Sequence, residues 1–297
     1  MKPLVLTERI CLTGHVIAMA FGLAGLLLVL PHPEFIAALP PVGMQLFEWS
    51  MSQGGVGYII LGAIAVALYL TRILGVRACL TFLIPSVCLS LSSELLGTST
   101  GFPFGAYHYL AGLGYKVAGL VPFTIPLSWF YMGVTCYLLA RAGLEALKLD
   151  QRLAQWGGVA IGAVLLVAWD LVLDPAMSQT SLPFWLFDEV GEFFGMPYRN
   201  LSGWLATGAI FMSVGAWLWR SQPLKLTRSQ LTIPLVVYLV NFAFGAIITL
   251  TSLDHRFAIP TLLSVALGVV PALLCWWLAG TQPAETATDA AVGVLEA

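Results

Sequence analysis

Eight apolar runs, each close to the length needed to cross a bilayer, constrain this chain more than any other feature. They lie near residues 10–30, 55–71, 78–93, 118–140, 154–174, 202–219, 231–252 and 258–279. A spanning helix needs about 20 apolar residues, roughly 17–25, because lipid offers no hydrogen-bond partner to an open backbone. The third run is short. Composition agrees: 59% of the residues are hydrophobic and only 9% charged, against roughly 25% charged in ordinary globular domains. The chain reads as an all-α polytopic membrane protein with about eight transmembrane helices. Residues 1–280 form a single transmembrane domain, and the Ala/Thr-rich tail 281–297 is expected to be disordered and cytoplasmic. Basic residues precede the first run, as in a signal peptide. That run is long enough to span, and no small-residue cleavage site directly follows it, so an uncleaved first helix is expected.

The basic residues test the count independently. Ten of the thirteen fall in alternate connecting segments: Lys2 and Arg9; Arg72 and Arg77; Arg141, Lys148 and Arg152; Arg220, Lys225 and Arg228. The other segments hold Lys116, Arg199 and Arg256. The alternation follows the positive-inside rule and places both termini in the cytoplasm.

Several classes of function find no support. A net charge of −2 gives no sign of a nucleic-acid partner. The five cysteines lie in or beside apolar runs without a Cys-x-x-Cys pair, so neither a disulfide framework nor a zinc site is indicated. Four scattered histidines make no metal set. Walker, dinucleotide, Gly-x-Ser-x-Gly and His-Glu-x-x-His motifs are missing, and no cofactor is expected.

Two stretches carry chemistry. The first runs from Glu94 to Tyr109 (Glu-Leu-Leu-Gly-Thr-Ser-Thr-Gly-Phe-Pro-Phe-Gly-Ala-Tyr-His-Tyr). A carboxylate leads an irregular, aromatic-rich segment at a membrane edge, where a charge is costly to keep without a use. The bland alternative is a loop with an interfacial aromatic belt. The second is Trp169-Asp170-Leu-Val-Leu-Asp174-Pro175. Asp170 and Asp174 are four apart and share a helical face, and Pro175 is expected to end the helix or lie just beyond it. Two carboxylates this close in a poorly solvated place cannot easily both ionise, and one that keeps its proton can serve as a general acid. The alternatives are solvated helix-end charges, or one Asp paired to Arg199. Phe184, Trp185, Phe187, Phe193 and Phe194 then suggest a short interfacial helix.

The two stretches resemble each other. Glu94 and Asp174 each precede a Pro-Phe pair by nine residues; Pro122-Phe123, Trp129 and Gly133 then match Pro197-Tyr198, Trp204 and Gly208 in spacing. A candidate internal duplication would set two motif loops on the outer side, with a site between the copies. Asn241 is expected to hydrogen-bond a neighbouring helix, and His15 to be a satisfied core histidine.

The Glu94–Tyr109 run, Trp169-Asp170…Asp174-Pro175 and Gly195-Met-Pro-Tyr-Arg-Asn200…Gly203-Trp204 are similar to three motifs of the membrane carotenoid hydratases, a family that includes γ-carotene and lycopene 1,2-hydratases and bisanhydrobacterioruberin hydratase. The resemblance covers roughly residues 55 to 280. It implies an enzyme of carotenoid biosynthesis that adds water to the terminal double bond of an acyclic carotenoid drawn from the bilayer. A carotenoid glycosyltransferase or desaturase is the implied downstream partner, and a bacterial plasma or internal membrane the implied location. Such chemistry needs a protonated carboxyl, aromatic faces for a tertiary carbocation, and a placed water with a base. Asp170, Asp174 and Glu94 are the acid/base candidates. Trp169, Tyr107, Phe104 and Trp204 are candidates to face the cation. His108, Tyr109 and Asn200 are candidates to position water, and Arg199 to hold one carboxylate ionised. Two readings compete: a carotenoid cyclase or other isoprenoid-modifying enzyme making the same cation, and a non-catalytic transporter with paired acids as an ion site.

Overall fold

The computed structural model describes residues 2–220 and 224–280; the tail 281–297 lies outside the described residues. The long helices are α1 (Lys2–Ala24, continued by a π turn at Gly25–Val29), α3 (Pro41–Leu74), α4 (Val76–Thr100), α5 (Thr124–Ala146), α6 (Gln151–Ser178), α7 (Tyr198–Leu218) and α8 (Arg228–Ser252). The last crossing is α9 (Ala258–Ser264), a π turn at Val265–Val269, and α10 (Val270–Ala279). A short α2 (Pro33–Ala37) lies between α1 and α3. The chain is thus an all-α, multi-pass integral membrane protein.

Seven of these crossings are long and apolar enough to span a bilayer by themselves. The eighth, α5, carries Ser128, Thr135 and Arg141 and is buried along most of its 23 residues. It packs against α3, α4, α6, α8 and α10, so protein rather than lipid surrounds it. Its span of about 35 Å still exceeds the hydrocarbon core.

The helix limits depart from the apolar runs in both directions. The 34 residues of α3 extend about 51 Å, well beyond a core of roughly 30 Å; Glu48, Ser50 and Gln53 lower the hydropathy of its outer part. Glu94 was expected to lead an irregular segment but lies inside α4. The helix continues past it, and its hydroxyls find partners within the helix: Thr98, Ser99 and Thr100 donate to the carbonyls of Glu94, Leu95 and Leu96 at 2.8, 2.6 and 2.7 Å. It stops at Gly101, whose φ of 79° closes the last turn. Likewise α6 passes through Pro175 to Ser178 instead of ending there. A proline so near the C-terminal end forfeits one backbone bond, and the turn resumes as Gln179 N donates to Pro175 O at 3.1 Å.

One end of the bundle is tied by charged groups. Arg72 on α3 donates to Glu8 on α1 at 2.7 Å. On α5, Arg141 donates to Glu145 at 2.8 Å, and the Glu145 carboxylate accepts from the backbone of Leu224 and Lys225. Asn241 and His15 meet the expectations made for them. Tyr131 donates to Asn241 Oδ1 at 3.0 Å, the Asn241 amide faces His15 Nε2 at 3.1 Å, and His15 Nδ1 faces the Tyr58 carbonyl at 2.7 Å. An amide donor at Nε2 fixes the histidine proton on Nδ1.

The opposite end carries both motif loops. Strand β1 (Tyr107–Tyr109) of the first pairs antiparallel with β4 (Trp185–Phe187) of the second; β2 (Lys116–Val117) and β3 (Val121–Pro122) form a small hairpin. The interfacial helix expected over Phe184–Phe194 is not formed. Its start is β4, and Phe193 and Met196 exchange backbone bonds in a tight turn. The edge of β1 supplies the partner that makes a strand there.

Candidate active site

Period-two alternation in β1 turns Tyr107 and Tyr109 inward and His108 outward. Both tyrosines reach Glu94 on α4. Tyr107 and Tyr109 donate to Glu94 Oε2, the latter at 2.8 Å, and Trp129 Nε1 on α5 donates to Oε1 at 2.9 Å. The Glu94 carboxyl, 3% exposed, is thus held at both oxygens by three neutral donors.

The second carboxyl group lies across from it on α6. Trp185 Nε1 of β4 donates to Asp174 Oδ1 at 2.7 Å. The Asn200 amide, in the first turn of α7, donates to Asp174 Oδ2 at 2.5 Å and Asp170 Oδ2 at 3.0 Å. One amide therefore joins the two aspartates, which share a helical face as their spacing predicts. Asp170 Oδ1 is buried without a hydrogen-bond partner among the described residues.

Between Glu94 and Asp174 is a cavity of about 40 Å³, walled by Phe104, Tyr107, Tyr109, Trp129, Trp185 and Trp204 among others. The volume has room for a water molecule. Trp129 and Trp204 overlie each other at 4.1 Å with their planes tilted by 30°, and Trp169 meets Trp204 edge-on at 5.8 Å. Phe104 is slotted between two helices at glycines: a Cβ on Gly97 of α4 or Gly203 of α7 would lie within 2.7 or 2.6 Å of its ring.

The sequence candidates divide accordingly. Glu94, Asp174, Asn200, Phe104, Tyr107, Tyr109 and Trp204 line the cavity. Asp170 and Trp169 stand behind it. His108 does not reach it: the side chain is half exposed and pairs with Asp188 at 2.8 Å on the outer face of the ladder. Arg199 is exposed and, among the described residues, forms no ion pair with any of the three acids; Asn200 fills the bridging position instead. Trp129 and Trp185 also touch the acids, at Glu94 and Asp174, although the sequence did not place them in the site. Trp129 was visible as a matched position of the two halves, whereas no spacing pointed Trp185 at Asp174.

Those matched positions meet in space. Strands β1 and β4 pair with each other, Trp129 stacks on Trp204, and α4 and α6 each touch both α5 and α7. Two helix–loop–helix units facing each other about an axis along the membrane normal would produce this arrangement.

A model of carotenoid biosynthesis proteins matches residues 54–271. The chain belongs to the carotenoid biosynthesis protein family. Within it, this family member is 36% identical over 129 residues to the bisanhydrobacterioruberin hydratase of Haloarcula japonica. The shared stretch is 42% of this chain and 41% of that protein, so the match spans under half of the curated relative. No solved structure matches. All the cavity-lining carboxyls and rings lie within the residues the family model covers.

Burial first, and then the neighbouring Glu94 carboxyl, hold the Tyr107 and Tyr109 hydroxyls well above the ordinary tyrosine value of 10. Both therefore remain protonated donors at alkaline pH. The pH–activity profile of this family member is expected to show no tyrosine ionisation near pH 10. A fall there that disappears in Tyr107→Phe would contradict this reading of the clamp.

Proposed function

We propose that this protein is a carotenoid 1,2-hydratase, with Asp174 as proton donor and Glu94 as the base. The observation carrying the proposal is the water-sized space bounded by two carboxyls and walled by aromatic rings, at the membrane end where the motif loops meet. The likeness to a hydratase and the family membership support it.

The proposed reaction balances as follows. The proton of the Asp174 carboxyl goes to the less substituted carbon of the terminal double bond, whose π pair becomes the new C–H bond. The other carbon becomes a tertiary cation, faced by Trp129, Trp204 and Tyr107. A water oxygen closes the new C–O bond as its proton passes to Glu94. Return of that proton to Asp174 restores the enzyme, and the sum is one alkene plus one water giving one tertiary alcohol. Glu94 is suited to the acceptor role because three donors hold its two oxygens and no amide joins it to a second carboxyl. Asp174 is suited to the donor role because Asn200 joins it to a second buried carboxyl, and adjacent carboxyls with no cation between them keep a proton. Asp170 supports that pair from behind.

Expression in a lycopene-producing bacterial host tests the proposal. Chromatography with mass spectrometry is expected to show a more polar pigment heavier by one water, with the polyene absorption unchanged from the empty-vector control. An isomer of equal mass with a blue-shifted spectrum would mean cyclisation. With the protein present in the membrane, no new pigment would overturn the choice of substrate.

A further inference from the structure

A hydratase of a lipid-soluble alkene has two substrates from two phases, and both must reach the small cavity between the acids. Beside it lies a second, larger space of about 920 Å³. It is bounded by Met51–Val56 of α3, the loop from Leu110 to Lys116, and Leu182–Phe184. We infer that this groove is the vestibule through which water reaches the acid pocket; the inference rests on the hydratase reading.

Depth is the first argument. Counting back along α3 from Arg72 at the charged end, roughly 20 residues cross the hydrocarbon core, which puts Ser52 and Gln53 at the outer headgroup level. A polyene belongs below that level and water at it. Lining chemistry is the second argument. Ser52, Gln53 and Lys116 share the groove with Phe123 and Phe184, a mixed wall that water can wet.

Contiguity is the third. Tyr109 and Trp185 face the acids, while their chain neighbours Leu110 and Phe184 line the groove. Leu110 N donates to Phe184 O at 2.7 Å. The partition between groove and cavity is therefore one strand pair thick. Lys116 braces it, its ammonium donating to the Tyr109 carbonyl at 2.6 Å. The side chain of that same tyrosine holds Glu94. Water gathered around Lys116 is thus one residue away from the base that must deprotonate it.

Two measurements test the vestibule. Val56→Cys, in the groove wall, should react in intact cells with a charged, membrane-impermeant maleimide added from outside. Failure to label, with the protein present in the membrane, would overturn an aqueous groove even if the enzyme hydrates carotenoid. Ser52→Trp and Ala111→Trp should each plug the groove. The yield of hydrated pigment is then expected to fall about tenfold, equivalent to 1.4 kcal/mol in the barrier, with isomeric pigment of unchanged mass rising as the unquenched cation loses a proton. Wild-type hydration in both plugged variants would overturn the assignment. Equal loss of hydrated and isomeric pigment would also overturn it, by giving the groove to the carotenoid. A wild-type protein that makes no hydrated pigment would instead tell against the substrate of the hydratase reading and not against the groove, which the maleimide tests by itself.

Discussion

Glu94→Gln is expected to lower hydrated-pigment yield by about 10²–10⁴-fold, the usual contribution of a positioned acid or base, at unchanged protein level in the membrane. The reasoning starts from what glutamine can do in the same place. Trp129 Nε1 can only donate, so the amide oxygen must face it, as Glu94 Oε1 does at 2.9 Å. The amide nitrogen then faces Tyr107 and Tyr109, whose hydroxyls can rotate to accept. Shape and hydrogen bonding survive while basicity is lost. Near-normal yield in this variant, measured against immunoblotted protein, would remove Glu94 from the chemistry and leave it a structural anchor.

Asp174→Asn is expected to cost as much activity, about 10²–10⁴-fold, and to destabilise the protein as well. Here the geometry does not adapt. Trp185 again claims the side-chain oxygen at 2.7 Å, which turns the new amide nitrogen toward the Asn200 nitrogen that donates to Asp174 now. Two donors face each other. If Asn200 flips to offer its oxygen, Asp170 loses the amide that holds it. A buried polar group left without its partner costs about 1–3 kcal/mol, which a thermal-shift measurement in detergent would register. Asp170→Asn should cost less activity, since Asp170 stands outside the cavity wall. The opposite ranking of the two aspartates would exchange their roles.

The bundle was legible in the sequence because hydropathy and the alternation of basic residues are one-dimensional signals. Helix limits were not, for local reasons. The hydroxyl-rich turn after Glu94 reads as a loop although its hydroxyls are satisfied inside α4, and polar residues outside the core disguise the outer third of α3. The aspartate pair was legible because an i, i+4 spacing dictates a shared face. By contrast, Arg199 was the obvious partner for an acid by charge, yet Asn200 occupies the position; the first turn of α7 points only one of the two neighbours inward. Trp185 escaped notice because its role depends on β4, and β4 forms only where β1 is present to pair with it. His108 was misplaced for the converse reason: once β1 is a strand, its middle residue must face away from its neighbours.

That ladder has a consequence for biogenesis. His108 and Asp188, which meet across it, are 80 residues apart, and α5 and α6 are synthesised between them. During insertion the Glu94 half of the centre leaves the translocon first, with β1 unpaired and no Trp185 or Asn200 to face. The centre closes only after the start of α7 has emerged. Until then the nascent chain carries a buried acid and an open strand edge at the membrane surface, so chains stalled between α5 and α7 are the ones a quality-control protease should find first.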